Sequence, residues 1–110
     1  MSDKRRGLLL VMIEVDPAHE EEFNRWYNEE HFPERQACPG FLGARRFVAV
    51  EGEPKYLALY DLESPEVLQS PAYEKIYPPS EWTKRVSKHF LRTVRNVYVE
   101  ITPSGGQPTA

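Results

Sequence analysis

The hydrophobic pattern divides the chain into alternating strands and helices. Residues 7–15 form an almost continuous apolar run, which is typical of a strand covered on both faces. Asp16 and Pro17 follow as a helix N-cap and a proline at the first helical position, and predict a helix that ends near His31, just before Pro33. The remaining pattern predicts strands at 41–51 and 55–62, two short helical turns from Ser64 and Ser70, a helix over 81–90 and a strand over 92–102.

This order, β-α-β-β-α-β with the second helix broken into pieces, predicts the fold class. Two β-α-β halves give a ferredoxin-like α+β fold, a four-stranded antiparallel sheet with its helices on one face. With 110 residues the chain has room for one domain, which we assign to residues 1–102. Residues 103–110, rich in proline and glycine, are predicted to form a flexible tail.

The first strand is apolar on both sides, which predicts association. Helices can cover only one face of the sheet, so the other face would remain exposed in a monomer. We therefore predict a homodimer. The alternating sets on the first strand are Leu8, Leu10 and Met12 against Leu9, Val11 and Ile13.

Charge and composition exclude several classes of partner. The net charge is −3 and the basic residues are scattered, so we predict no nucleic-acid binding. A single cysteine, Cys38, excludes an intrachain disulfide and fits a reducing compartment. Glu14 and Asp16 interrupt the N-terminal apolar run, which is too short to span a bilayer. We predict a cytoplasmic protein with no membrane contact.

The end of the first helix carries the candidate chemistry. Measured from Phe23 at 100° per residue, Glu30 falls at about −20°, in the middle of the apolar stripe, and His31 at about +80°. Burying a bare carboxylate costs several kcal/mol, so Glu30 has either an ion pair with Arg45 or Arg46, or a raised pKa that lets it carry a proton. His31 is either favoured only by the helix dipole or acts as a general acid or base.

Aromatic residues on other elements extend this site into a predicted pocket. Trp82 and His89 share the apolar face of the last helix, although His89 would also fit as a core histidine bonded to backbone. Tyr56 and Tyr60 share one strand face, with the small Ala58 between them. Such walls suit a small, flat, mainly apolar molecule. The predicted substrate-binding residues are Trp26, Tyr27, Tyr56, Tyr60, Trp82 and His89.

Metal and cofactor signals are weak. The spacing of His19, His31 and His89 matches no metal-ligand pattern, and no glycine-rich loop precedes a helix as a phosphate site requires. We predict neither a metal nor a cofactor; a haem bound through His31 or His89 remains an alternative.

Several segments give the chain a family resemblance over roughly residues 7–101. It resembles the dimeric α+β barrel superfamily, and most closely the EthD-like branch. Members of the superfamily include polyketide cyclases, muconolactone-type isomerases, cofactor-free quinol monooxygenases and haem-handling enzymes. The resemblance implies a homodimer that holds its ligand between sheet and helices, with a helix-end histidine such as His31 lining the cavity. The segments are Trp26-Tyr27-x-x-Glu30-His31-x-Pro33-Glu34, Pro39-Gly40-Phe41, Arg45-Arg46-Phe47, residues 56–60 and residues 70–73.

Together these observations predict a cofactor-independent enzyme that transfers a proton next to a carbonyl group. His31 would transfer the proton, with Glu30 as an orienting or second acid–base group and Tyr60 or His89 as donor to the enolate oxygen. Three alternatives stay open: a module that binds a hydrophobic metabolite, a cofactor-free or haem-dependent monooxygenase, and a purely structural dimer.

Overall fold

Four antiparallel strands form the predicted sheet in the computed structural model, which describes residues 5–103. The strands lie in the order β2-β3-β1-β4, with the helices on one face, so the ferredoxin-like α+β fold is confirmed. The predicted tail lies outside the described residues except for Pro103. The strands are β1 Gly7–Val15, β2 Phe41–Val48, β3 Tyr56–Leu62 and β4 Phe90–Val99.

Several strand boundaries differ from the prediction, and β4 also ends at Val99 instead of 102. β2 ends at Val48, three residues early, because the chain turns through a loop in which Gly52 has a φ of +95°. β4 begins at Phe90, since Phe90 already pairs with Val15 of β1 and the His89 carbonyl accepts a hydrogen bond from the Asp16 amide at 2.9 Å.

The first helical segment continues beyond the proline that was expected to end it. A 3₁₀ turn capped by Asp16 leads into α1 (Glu20–Trp26), a π-helical turn (Tyr27–His31) and α2 (Phe32–Gln36). The prediction of an end near His31 is therefore wrong. The wide π turn, in which the Phe32 amide bonds to the Tyr27 carbonyl, accommodates the Pro33 ring, and Pro33 has no amide hydrogen to satisfy.

The second helical segment is broken as predicted. A 3₁₀ turn (Pro65–Gln69) and α3 (Pro71–Ile76) begin at the serine caps Ser64 and Ser70. The helix α4 (Glu81–Ser87) begins at Ser80, whose hydroxyl accepts a hydrogen bond from the Thr83 amide at 3.0 Å, and it is shorter than the predicted 81–90.

The core lies between the helices and one face of the sheet. Phe23 and Trp26 of α1 are 0% and 2% exposed and pack on the side chains of alternate strand residues, among them Leu9 and Ile13. Gly40 closes the turn before β2 with a φ of +95°, and a Cβ there would lie 2.6 Å from a methyl carbon of Val67. A side chain at position 40 is therefore excluded both by the backbone and by the packing.

The opposite face of the sheet carries no helix and is largely apolar. The cross-strand row through its centre consists of Val94, Met12, Leu57 and Phe47, one from each strand. Leu10 and Leu59 form the core of the neighbouring row. Within residues 5–103, no helix is long and apolar enough to cross a membrane.

Candidate functional site

The π-helical turn brings His31 against the two aromatic residues that precede it. The imidazole centroid lies 4.7 Å from that of Trp26 and 4.9 Å from that of Tyr27. In a regular α-helix, Trp26 and His31 would point about 140° apart, because five residues at 100° each overshoot one turn. Hydrogen bonds from residue i to i+5 widen the turn and align residues five apart. This backbone feature, which the sequence did not reveal, builds the site.

His31 is a neutral imidazole in a positive environment. Burial between the aromatic rings, together with the guanidinium charges of Arg35 and Arg46, lowers the pKa of His31 from 6.5 to about 3. At neutral pH the ring therefore carries no charge and keeps one nitrogen as a hydrogen-bond acceptor.

The ring nitrogens of His31 have no partner and are within reach of solvent. His31 forms no side-chain hydrogen bond with any residue that the structure describes. Every fully enclosed side-chain nitrogen or oxygen of the described residues does have a partner. Both nitrogens of His31 must therefore border an opening, however small, through which another molecule can reach them.

Tyr27 and Tyr60 form a buried pair of phenols beside His31. Their hydroxyl oxygens are 2.6 Å apart, and each residue is at most 2% exposed. Burial raises the pKa of both hydroxyls, so both keep their protons at neutral pH. A pair of hydroxyls holds two protons but uses only one for its mutual hydrogen bond. The second proton is available to an acceptor that enters the site.

Arg46, and not Arg45, faces the helix layer. Its guanidinium carbon lies 4.3 Å from the centre of the Tyr27 ring, with Phe23 and Tyr56 at 5.6 and 5.5 Å. Arg45 lies on the opposite face, 3.8 Å from the Asp61 carboxylate. The alternation of side chains along β2 separates the two neighbours.

Arg35 is a site residue that the sequence analysis missed. It is 8% exposed, donates to the Glu34 carboxylate at 2.9 Å, and places its guanidinium 5.5 Å from the centre of the Tyr73 ring. It was overlooked because the predicted helix ended at His31, which left Arg35 in a turn; the real α2 turns it into the core.

Glu30 has neither of the partners that the sequence suggested. One of its carboxylate oxygens accepts hydrogen bonds from the Ser80 hydroxyl at 2.5 Å, the Thr83 hydroxyl at 3.1 Å and the Trp26 indole at 3.2 Å. The expectation of an ion pair with Arg45 or Arg46 is therefore wrong. The π turn rotates Glu30 towards the start of α4, where it joins two helical segments.

The remaining predicted site residues make contacts outside the cluster around His31, or only at its edge. Trp82 donates to Glu22 at 3.2 Å, and His89 stacks on His19 with ring centroids 3.4 Å apart. Tyr56 shares the Arg46 cage but donates its hydroxyl proton to Glu20. The structure thus brings Trp26, Tyr27, His31 and Tyr60 together around Arg35 and Arg46, and it ties Trp82 and His89 to the outer contacts of α1 and α4.

Two spaces lie near this cluster. A crevice with about 160 Å³ of empty volume runs past Tyr27, Arg46, Tyr56 and Ala58 and is too narrow for a water molecule. A larger cleft of about 530 Å³ opens between the 65–77 segment and β4. Tyr73 lines that cleft and also covers Arg35, so it stands between the cleft and the cluster.

Comparison with known proteins supplies a family. A family model described as a domain of unknown function, DUF4286, matches residues 7–100. The chain belongs to the DUF4286 family. No curated protein gives a significant match.

Solved structures with this fold include members of several named families. An EthD family protein from Bacillus halodurans C-125 superposes with a TM-score of 0.64 at 16% identity, covering 87% of this chain and 99% of that one. A proposed antibiotic biosynthesis monooxygenase from Bordetella bronchiseptica gives 0.63 at 17%, covering 89% and 99%. A NIPSNAP family protein from Agrobacterium tumefaciens C58 gives 0.68 at 11%, covering 91% and 90%. At these identities the likeness shows the fold alone, a four-stranded antiparallel sheet with its helices on one face, and leaves the chemistry to the site.

No group of three His, Cys, Asp or Glu side chains suited to hold a metal ion occurs in the described part of the chain. The polar groups that converge at the site are an imidazole, phenols and guanidiniums. Such a set can accept a proton and stabilise a negative oxygen.

Proposed function

We propose that this chain is a small-molecule enzyme that transfers a proton next to a carbonyl group of an apolar oxygenated substrate, as isomerases, cyclases and lyases do. The observation that supports it best is the position of His31. Its unbonded imidazole lies beside a phenol pair with a spare proton, and the charges of two guanidinium groups, Arg35 and Arg46, act on it.

Each group has a role in such a step. A ring nitrogen of His31 takes the proton from the carbon next to the carbonyl. The electron pair of that C–H bond forms the carbon–carbon double bond of an enolate, and the π pair of the carbonyl moves to its oxygen. The spare hydroxyl proton of the Tyr27–Tyr60 pair donates to the enolate oxygen, and the charges of Arg35 and Arg46 stabilise it. His31 then returns its proton to the same or another carbon of the substrate.

The low pKa of His31 fits this sequence of events. Burial and the two guanidinium charges disfavour an imidazolium, so the base is deprotonated and ready at neutral pH. A negative enolate between them offsets their charge and raises the pKa of His31 as the proton arrives. Glu30 is assigned a positioning role, because it holds the Trp26 indole against α4.

A second candidate is a binding protein without catalysis. It is favoured by the cleft of about 530 Å³ at Tyr73 and Arg95, which has room for a ligand, whereas the crevice beside Tyr27 must widen to admit one. A hydrophobic metabolite held in that cleft would need no chemistry from His31.

A hydrogen-exchange assay distinguishes the two. We choose 2-tetralone, a flat apolar ketone, dissolved in D₂O with the protein, and follow loss of its α-proton signals by NMR. We expect exchange faster than in buffer, abolished in His31→Gln and retained in the control variant His19→Gln, whose half-buried ring stacks on His89 outside the site. Binding of 2-tetralone with no exchange above buffer would favour the binding protein, and equal exchange in His31→Gln would refute the role of His31.

The proposal includes a homodimer in the cytoplasm. The helix-free sheet face, with its apolar central row, is the surface that a second copy would cover. The single cysteine, Cys38, is buried and unbonded, which supports a reducing compartment.

A further inference from the structure

Arg46 differs from Arg35, the other arginine of the described residues that is not exposed, and also from the exposed Arg85, in having no acid to pair with. Arg35 meets Glu34 at 2.9 Å and Arg85 meets Glu22 at 3.0 Å. Arg46 makes no ion pair with any described residue. Its two terminal nitrogens each donate, at 2.9 Å, to the neutral amide oxygens of Asn28 and Asn24. A guanidinium has five N–H donors, so three N–H groups of Arg46 are left for another acceptor.

The surroundings of Arg46 leave its charge uncompensated. The faces of three aromatic rings hold the guanidinium by cation–π contact, which fixes its position without neutralising it. Glu34 offsets the charge of Arg35, and Glu30 is turned away to α4. The site therefore holds one positive charge in excess, beside a neutral imidazole and neutral phenols.

We propose that Arg46 recognises an acidic group, a carboxylate or a comparable oxyanion, on an apolar ligand of this protein. The inference rests on the proposed function, since it assigns the substrate class of the same site. Arg46 borders the crevice beside Tyr27, Tyr56 and Ala58, and its partner Asn28 is exposed. The acid binds the outer edge of the guanidinium, and the apolar body of the ligand enters as the crevice widens.

The planar fork of arginine is suited to this role. Two parallel N–H groups meet the two oxygens of a carboxylate, and such charge-assisted hydrogen bonds are about twice as strong as neutral ones. An acid bound there also places a negative charge near His31, which a neutral ligand of the same shape does not do. The pKa of His31 should therefore respond to an acidic ligand and not to a neutral one, a response that a purely structural arginine would not produce.

The experiment compares benzoate with its neutral isostere benzamide by ¹H–¹⁵N NMR titration of the full chain. We expect benzoate to bind at least about tenfold more tightly than benzamide, and Arg46→Met to abolish that preference. Arg45→Met, the same change on the adjacent residue of the opposite face, is the matched control and keeps it. Bound benzoate, but not benzamide, is expected to raise the pKa of His31 above about 3.

Several outcomes would overturn the inference. One is unchanged benzoate affinity in Arg46→Met. Another is loss of benzoate affinity in Arg95→Met alone, because that result would place the acid in the cleft instead. Should Arg46→Met fail to fold, Arg46→Lys keeps the charge but loses the fork, and an undiminished preference for benzoate in it would contradict fork recognition. His31→Gln separates the two proposals: it is expected to keep benzoate binding while losing proton exchange with 2-tetralone.

Discussion

Acidification is expected to destabilise this protein through His31. The pKa of His31 is about 3 in the folded chain and 6.5 when the ring is in water. Between these values the unfolded chain binds a proton at this residue and the folded chain does not. The free energy of unfolding therefore falls as the pH falls from 6.5 towards 3, and the contribution of His31 is flat above that window.

The magnitude follows from the distance to the unfolded pKa. At pH 5 the ring is about 1.5 pH units below that value, and each unit corresponds to about 1.4 kcal/mol. The contribution of His31 to the loss between pH 7 and pH 5 is therefore up to about 2 kcal/mol. This is a large share of the 5–15 kcal/mol that is typical of folded domains.

Urea unfolding followed by far-ultraviolet circular dichroism, at pH 7, 6 and 5 and one protein concentration, measures this contribution. Acidic groups that titrate in the same range are present in every variant, so the difference between wild type and His31→Gln isolates the imidazole. We expect that difference to change by up to about 2 kcal/mol in favour of the variant at pH 5. If the free energies of unfolding of wild type and His31→Gln fall in parallel between pH 7 and pH 5, the reasoning is refuted.

Three further changes test the packing. Met12→Asp places a charge in the central row of the helix-free face, and we expect size-exclusion chromatography with light scattering to show a 12.8 kDa monomer where wild type is a dimer of twice that mass; a wild-type monomer would contradict the proposed homodimer. Glu30→Ala removes three hydrogen bonds of the π turn, two of them to the start of α4, and urea titration should show that the free energy of unfolding falls by about 1–3 kcal/mol. An unchanged free energy of unfolding would show that these contacts do not stabilise the protein in solution. Gly40→Ala meets both a positive φ and Val67 and should cost clearly more than Gly52→Ala, which has the same φ and open space around it; equal losses would show that packing at Val67 adds nothing.

The fold could be predicted because its signals are local and agree with one another. The apolar run of β1, the serine caps at Ser64, Ser70 and Ser80, and the turn at Gly40 each act over a few residues. The strand order and the helix-free face follow from connecting such elements by short loops. The boundaries at 48 and 90 did not follow, because pairing between distant strands determines where each strand ends.

The site could be predicted only in part, since it depends on one irregular turn. Of the site residues that the sequence indicated, the structure places Trp26, Tyr27, His31 and Tyr60 together and directs Glu30, Trp82 and His89 to other contacts. Helical geometry at 100° per residue put His31 far from Trp26 and Glu30 in the core. The π turn of five residues brings His31 to Trp26 and turns Glu30 out towards α4. It also carries the helix past Pro33, so that α2 buries Arg35.

The contrast between Glu30 and Arg46 is what favours a ligand over a structural role for this cluster. At Glu30, a single carboxylate oxygen accepts hydrogen bonds from three donors in two helical segments. Each of these polar groups therefore has a partner within the chain, as a purely structural cluster requires. Around Arg46 it leaves an imidazole unbonded, a phenol proton unused and a guanidinium without an acid. A carboxylate from one nearby side chain would have paired with Arg46, as Glu34 pairs with Arg35, and leaving polar groups unpaired costs free energy. An acidic ligand would supply the acid that Arg46 lacks, and the preference for benzoate over benzamide measures whether it does.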